Sequence, residues 1–264
     1  MNINNDCQIL KRKNKYYKIR LIIYQMLLLI SFLIIWELLA HFNIINTFIF
    51  SKPSDIIKLL IEYIRNNEIF VHIKVSLIEV LLGIIIGSFV GILIAIILWY
   101  FDFIQKLLNP FLNVLNALPK TALAPIMIIW AGTGISGIVV VAISILLIIT
   151  VLSTYNFFMN VDAEKIKMLE SFKASKLQIF NKLVFPSNLK NIFSVIKINV
   201  GMSWVGVIVG EFLVSKEGLG YLIMYGGQVF KLDLVMMGVI VLAILAFLMN
   251  FIVELIEKML IKKS

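Results

Sequence analysis

Residues 73–100 read IKVSLIEVLLGIIIGSFVGILIAIILWY. Only Lys74 and Glu79 carry charge in this stretch, and both lie near its start. A helix rises about 1.5 Å per residue, so roughly 20 apolar residues cross the hydrocarbon of a bilayer. The stretch is long enough to span and too apolar to leave in water. Working outward, five further segments meet the same test: 21–42, 111–131, 135–158, 190–214 and 233–257. The expected fold is all-α, a polytopic membrane protein with six transmembrane helices in a single domain over 21–264, preceded by a basic tail at 1–20.

Composition agrees. Of 264 residues, 61% are hydrophobic and 15% charged, against about half and about a quarter in a soluble domain. The net charge of +9 does not point to nucleic acid, because that reading needs a basic patch on one solvated face. Here the cations sit in short segments between apolar runs, so the expected surroundings are a lipid bilayer. Cys7 is the single cysteine and the histidines are only His41 and His72. Neither a disulfide within the chain nor a CxxC metal site follows, and no cofactor, metal or catalytic constellation is expected. Residues 11–20, KRKNKYYKIR, carry six positive charges ahead of the apolar run 21–42. That run exceeds the 7–15 residues or so of a cleavable signal core, so it is expected to stay as the first span.

Orientation follows from lysine and arginine. With the N-terminal tail in the cytoplasm, the loops near 101–110 and 159–190 and the C-terminus fall on the same side. Seventeen of the 24 Lys and Arg then lie inside and six outside (Lys52, Lys58, Arg65, Lys74, Lys216 and Lys231), with Lys197 inside the fifth span. This excess obeys the positive-inside rule and places both termini in the cytoplasm. Two amphipathic segments are too short to cross. Residues 53–66 open on Pro53-Ser54-Asp55, a helix-start signal, and residues 217–230 are expected to form a short or re-entrant helix covered by protein.

Small residues recur at Gly83, Gly87, Gly91 and Ala95 in span two and at Gly206 and Gly210 in span five. Close backbone approach drives helix association in lipid, so the stripes read as packing inside the bundle or, more sharply, as a contact between subunits. Pro110, Pro119 and Pro125 interrupt span three at its start, each removing a backbone donor. Asn113, Asn116 and Thr121 there, with Asn199 and Ser203 of span five, are candidate pathway residues; a kinked helix without a pathway role is the alternative for span three. Glu37, Glu79 and Glu211 lie in or beside spans, where charge is costly. Headgroup contact or hydrogen bonding between helices is expected for them, with Lys74 as a possible ionic partner.

The segment 159–190, MNVDAEKIKMLESFKASKLQIFNKLVFPSNLK, has helical periodicity. Asp162 is placed to cap a first helix, with Glu164 in its favourable first turn, and Ile166, Leu169 and Phe172 share one face. Ser175 and Gln178 have capping-box spacing for a second helix, along which Leu177, Phe180 and Val184 continue the stripe. Pro186 is expected to stop it, with Phe185 extended, and the turn falls near Lys173-Ala174. The result is a charged helical hairpin suited either to docking on another protein or to lying on a surface.

At this hairpin the chain resembles the permease subunits of binding-protein-dependent ABC importers, whose loop reads EAA, three residues, Gly, nine residues, Ile-x-Leu-Pro. Lys167-Met168-Leu169 takes the EAA place, Lys173 the glycine place, Leu183 and Phe185 the Ile and Leu places, and Pro186 the proline. Over about 200 residues the chain looks like the nitrate, sulfonate and taurine branch. Ala117-Leu118-Pro119, Ala122-Leu123-Ala124-Pro125, Trp130-Ala131-Gly132-Thr133-Gly134, Val209-Gly210-Glu211 and Gly218-Leu219-Gly220-Tyr221 carry that likeness.

The resemblance implies a membrane-spanning permease in the bacterial cell membrane, driven by ATP hydrolysis on a separate subunit. Its implied partners are an ABC ATPase, an extracytoplasmic substrate-binding protein and a second permease chain, in a homodimer. Asp162, Lys167, Leu169, Phe172, Lys173, Ser175, Phe180 and Pro186 form the implied ATPase-coupling loop. The implied solute is small: nitrate, a sulfonate, taurine or a pyrimidine precursor. No G-x-x-x-x-G-K-[ST] occurs, so the chain lacks a phosphate-binding loop and is not expected to be an enzyme. Two departures stand out: Lys167 reverses the charge of the family's Glu, and Lys173 occupies a place where a left-handed backbone would cost about 1–2 kcal/mol. The rival readings are a secondary transporter, which would show internal repeats and paired broken helices, and a membrane scaffold that transports nothing.

Overall fold

The computed structural model describes residues 3–261, and within them every regular element is helical. The chain runs α1 (Ile3–His41), α2 (Thr47–Phe50), α3 (Pro53–Arg65), α4 (Glu68–Tyr100), α5 (Asp102–Ala117), a 3-10 turn (Lys120–Leu123), α6 (Ala124–Ala131) and α7 (Ile135–Met159). It continues with α8 (Ala163–Ser171), α9 (Lys176–Ile179), a π turn (Phe180–Val184), α10 (Phe185–Ser187), α11 (Leu189–Val214), α12 (Leu219–Gln228) and α13 (Leu232–Ile261). The Cys7 side chain lies outside what the structure describes. α1 takes in most of the basic segment, and its apolar part, Ile19–His41, is long enough to span.

Five helices are apolar and long enough to cross: α1, α4, α7, α11 and α13. Span three differs from expectation. Residues 111–131 do not form one helix kinked at its start. α5 begins at Asp102 and carries Pro110 within it, and the pair made by α5 and the segment Lys120–Ala131 bends by 87°. Leu118 is extended (φ −67°, ψ 139°), as the residue before a proline prefers, and Pro119 withholds the donor that would continue the helix. Pro125 falls in the first turn of α6, where the missing N–H costs nothing. Across the break, the Lys120 ammonium donates to the Asn116 carbonyl at 3.0 Å.

The core is α7 held between α4 and α11. Ile138, Ala142, Leu146 and Thr150 recur every fourth residue along α7, and each meets a glycine. A Cβ at Gly83 would stand 3.1 Å from the Ala142 Cβ, one at Gly91 2.7 Å from Thr150, and one at Gly210 3.0 Å from Ile138. A Cβ at Gly87 would collide with Leu146, and one at Gly206 with the Ala142 backbone. The small-residue stripes therefore pack within the bundle.

Buried polar groups reinforce the same three helices. The Asn199 amide of α11 donates to Ser88 Oγ of α4 and Thr150 Oγ1 of α7, both at 2.8 Å. Ser203 Oγ donates to the Val80 carbonyl at 3.0 Å. Such bonds contribute on average about 0.6 kcal/mol each between membrane helices. Near the hairpin end, Lys197 of α11 pairs with Glu257 of α13.

Candidate functional site

The hairpin 159–190 lies at one end of the bundle, between α7 and α11, while α3 and α12 lie at the other. Its two helices form where the capping residues stand. The Asp162 carboxylate accepts from the Glu164 N–H at 3.0 Å, and Lys165 adds an ion pair to it. Ser175 and Gln178 close a reciprocal capping box at the start of α9.

Between them the chain turns at Lys173, whose φ is 57°. The Lys173 N–H donates to the Glu170 carbonyl at 2.8 Å and the Ala174 N–H to the Leu169 carbonyl at 3.1 Å. This is the bond pattern of a Schellman turn, with lysine where glycine is usual. Leu169 and Ala174 pack into one apolar cluster, the contact that accompanies the motif. The strain thus falls on Lys173 itself.

The apolar stripe does not act as one face. Phe180 is 6% exposed, its ring tilted against Trp99 at a centroid distance of 5.1 Å and edge-on to Phe158 at 5.4 Å. It fixes the hairpin to α4 and α7, and Ile166 and Leu169 pack around it. Phe172 is 78% exposed and Leu177 56%, and Met168 is exposed beside them. Lys167 and Lys173 are also exposed.

Pro186 does not stop the second helix, and Phe185 is helical (φ −65°, ψ −50°). The reason is the π turn at Phe180–Val184, in which the Phe185 N–H reaches back to the Phe180 carbonyl. This wider turn moves Pro186 into the first turn of α10, where no donor is required. The break comes later, at Asn188, whose buried amide donates to the Val184 carbonyl at 2.9 Å.

One anchor carries no sequence signal. Lys176 of α9 donates to Asp102 at 3.1 Å and lies 5.6 Å from the Trp99 ring centre and 5.7 Å from that of Tyr100. It ties the hairpin to the start of α5, whose far end is the 87° bend. The partners are 74 residues apart, beyond the reach of any local pattern.

The remaining candidate residues fall into two groups. Asn113, Asn116 and Thr121 are exposed on α5 and at the bend. Asn199 and Ser203 are fully buried in the helix–helix bonds described above. Structure thus brings neither pair of groups into a single enclosed site. The acids of the spans bond between helices. Glu37 accepts from the Ser54 N–H at 3.0 Å, capping α3, and Glu211 accepts from the Gly220 N–H at the start of α12. Glu79 and Glu211 are each 1% exposed, which excludes headgroup contact. Lys74 forms no ion pair among the described residues.

Residues 69–263 match the family described as binding-protein-dependent transport system inner membrane component. The chain belongs to that family. Among relatives of this permease is the putative aliphatic sulfonates transport permease protein SsuC of Bacillus subtilis, 28% identical over 229 residues, covering 86% of this chain and 83% of that one. The taurine transport system permease protein TauC of Escherichia coli is 22% identical, covering 83% and 81%. A chain of the MetNI methionine ABC transporter, solved in inward-facing conformations, superposes with a TM-score of 0.57 at 17% identity, covering 72% of the permease and 96% of that chain; this likeness shows the fold. The permease is a multi-pass membrane subunit of an ABC importer, and the family as a whole works with a binding protein and an ATPase.

Proposed function

We propose that two copies of the permease enclose one pathway for a small solute, and that a separate ATPase grips the hairpin of each copy. The observation that carries this reading is the split of the hairpin stripe. One side is fixed to α4 and α7 through Phe180, while Phe172, Met168 and Leu177 offer an uncovered apolar tip. A helix presenting apolar anchors of this kind fits a hydrophobic groove on a partner.

In this account Asp162 and Ser175 fix the two helices, Leu169 and Phe180 seat them, and Lys173 makes the turn. Phe172 enters the ATPase, Lys167 sets the charge facing it, and Pro186 with the π turn passes motion into α11. Asn113, Asn116 and Thr121 face the pathway between the two copies. Ile129 and Trp130, highly exposed on α6, supply apolar surface for the second copy. Asn199 and Ser203 serve the pathway by fixing α4, α7 and α11 against one another. The hairpin and both termini face the cytoplasm, in keeping with the lysine distribution. The chain carries out no chemistry of its own.

The names of its relatives, for aliphatic sulfonates, taurine and formylaminopyrimidine, support a small organic solute, a sulfonate first, selected by an external binding protein. The test is uptake into proteoliposomes holding the permease, its ATPase and its binding protein. ATP-driven uptake of taurine or an alkyl sulfonate is expected, with no ATP hydrolysis above background by the permease alone. Sustained hydrolysis by the purified chain contradicts the division of labour.

A further inference from the structure

The first amides of α12 are all met by side chains from other helices. The Gly218 N–H donates to His72 Nδ1 at 3.0 Å and the Leu219 N–H to Ser76 Oγ at 2.8 Å. The Gly220 N–H and the Ser76 hydroxyl both donate to the Glu211 carboxylate. Gly218 has φ 108°, and a Cβ there would run into the Glu211 carboxylate. The carboxylate of α11 is thus wedged under the start of α12. One turn on from Ser76, on the same face of α4, stands Glu79, 1% exposed.

Glu79 Oε2 is buried and has no partner among the described residues. Among the described residues, no lysine, arginine or histidine forms an ion pair with either acid. His72 accepts at Nδ1 and stacks on Tyr221 at 6.0 Å. α7 carries no titratable side chain between Ile135 and Thr154. Two adjacent carboxyl groups buried this deeply cannot both ionise and so share a proton. Glu211 receives the hydroxyl and amide donors and sits at a helix N-terminus, so the charge settles there. A protonated carboxyl is itself a donor, which gives Oε2 its missing partner.

We infer that Glu79 is a neutral carboxylic acid donating to Glu211, and that this pair with Ser76 is a latch seating α12 on α4 and α11. Glu79 is then a positioning residue for transport, acting through Glu211 on the helix opposite the hairpin. Glutamine keeps a donor at this position and leucine keeps only the volume.

The experiment uses the assembled transporter in nanodiscs. Infrared difference spectra of wild type minus Glu79→Gln at neutral pH are expected to show a protonated-carboxyl C=O band that the variant lacks. Glu79→Gln is expected to keep uptake within about twofold, while Glu79→Leu lowers it about tenfold or more, as loss of a buried bond to a charged acceptor implies. Absence of the band overturns the inference, as does its persistence in Glu79→Gln with loss in Glu211→Gln. Equal uptake by the Gln and Leu variants overturns it too. The infrared arm needs no solute, so the latch stands or falls on it even where the choice of sulfonate fails.

Discussion

Lys173 and Phe172 are neighbours with opposite demands. Lys173 holds a left-handed backbone (φ 57°) that glycine adopts freely and other residues adopt at a cost of about 1–2 kcal/mol. Lys173→Gly is therefore expected to stabilise the permease by about 1 kcal/mol, seen as a rise in the melting temperature of the purified protein; a fall in that temperature contradicts the strain argument. Phe172 is 78% exposed, so Phe172→Glu is expected to leave the melting temperature unchanged within about 0.5 kcal/mol of stability while uncoupling ATP hydrolysis from uptake. Phe180→Ala is expected to do the reverse, loosening the hairpin by about 3–5 kcal/mol as buried aromatics do. The turn at Lys173 was legible from the place a glycine takes in the family's loop. The opposite fates of Phe172 and Phe180 were not, because periodicity assigns a face within one helix and the Schellman turn between α8 and α9 resets it. Asn199 and Ser203 show a similar limit: polar residues in a span look alike in sequence whether they line a passage or bind two helices.

Among the elements, the continuous spans follow from apolar length alone, and the glycine stripes on α4 and α11 follow from four-residue spacing. The partner of those stripes, the Ile138-Ala142-Leu146-Thr150 face of α7, has no glycine signature and emerges only from packing. Two elements departed from local rules, both at prolines. Pro119 broke span three in its middle because Leu118 could extend there, whereas Pro186 was absorbed because a π turn precedes it. Proline withholds a donor in both cases, and the surrounding register decides whether the helix ends. The packing supports a paired test within α11. A Cβ at Gly206 meets the Ala142 backbone, while one at Gly201 meets nothing within 4 Å. Gly206→Ala is expected to lower stability by about 1–3 kcal/mol through overpacking, and Gly201→Ala to leave it unchanged or slightly raised. Equal thermal stability of the two variants would show that α11 does not rely on close approach to α7.

For the whole molecule, the proposed topology puts the hairpin and the C-terminus on the side of the basic N-terminal segment, in keeping with the lysine distribution. Tying Lys176 to Asp102 and Phe180 to Trp99 and Phe158 makes the hairpin part of the bundle. In the proposed mechanism, movement at its tip would act on α4, α5 and α7 together. At the opposite end Glu37 and Glu211 seat α3 and α12, so each end of the bundle has its own fastening. The claim on which this account turns is that the uncovered tip of the hairpin docks on an ATPase. The most direct measurement is cross-linking from a cysteine at position 173 to the co-expressed ATPase in intact membranes, with Phe172→Glu tested for uptake in parallel. The account predicts an ATPase adduct at position 173 and loss of ATP-driven uptake in Phe172→Glu. No adduct, together with normal uptake by that variant, would contradict it.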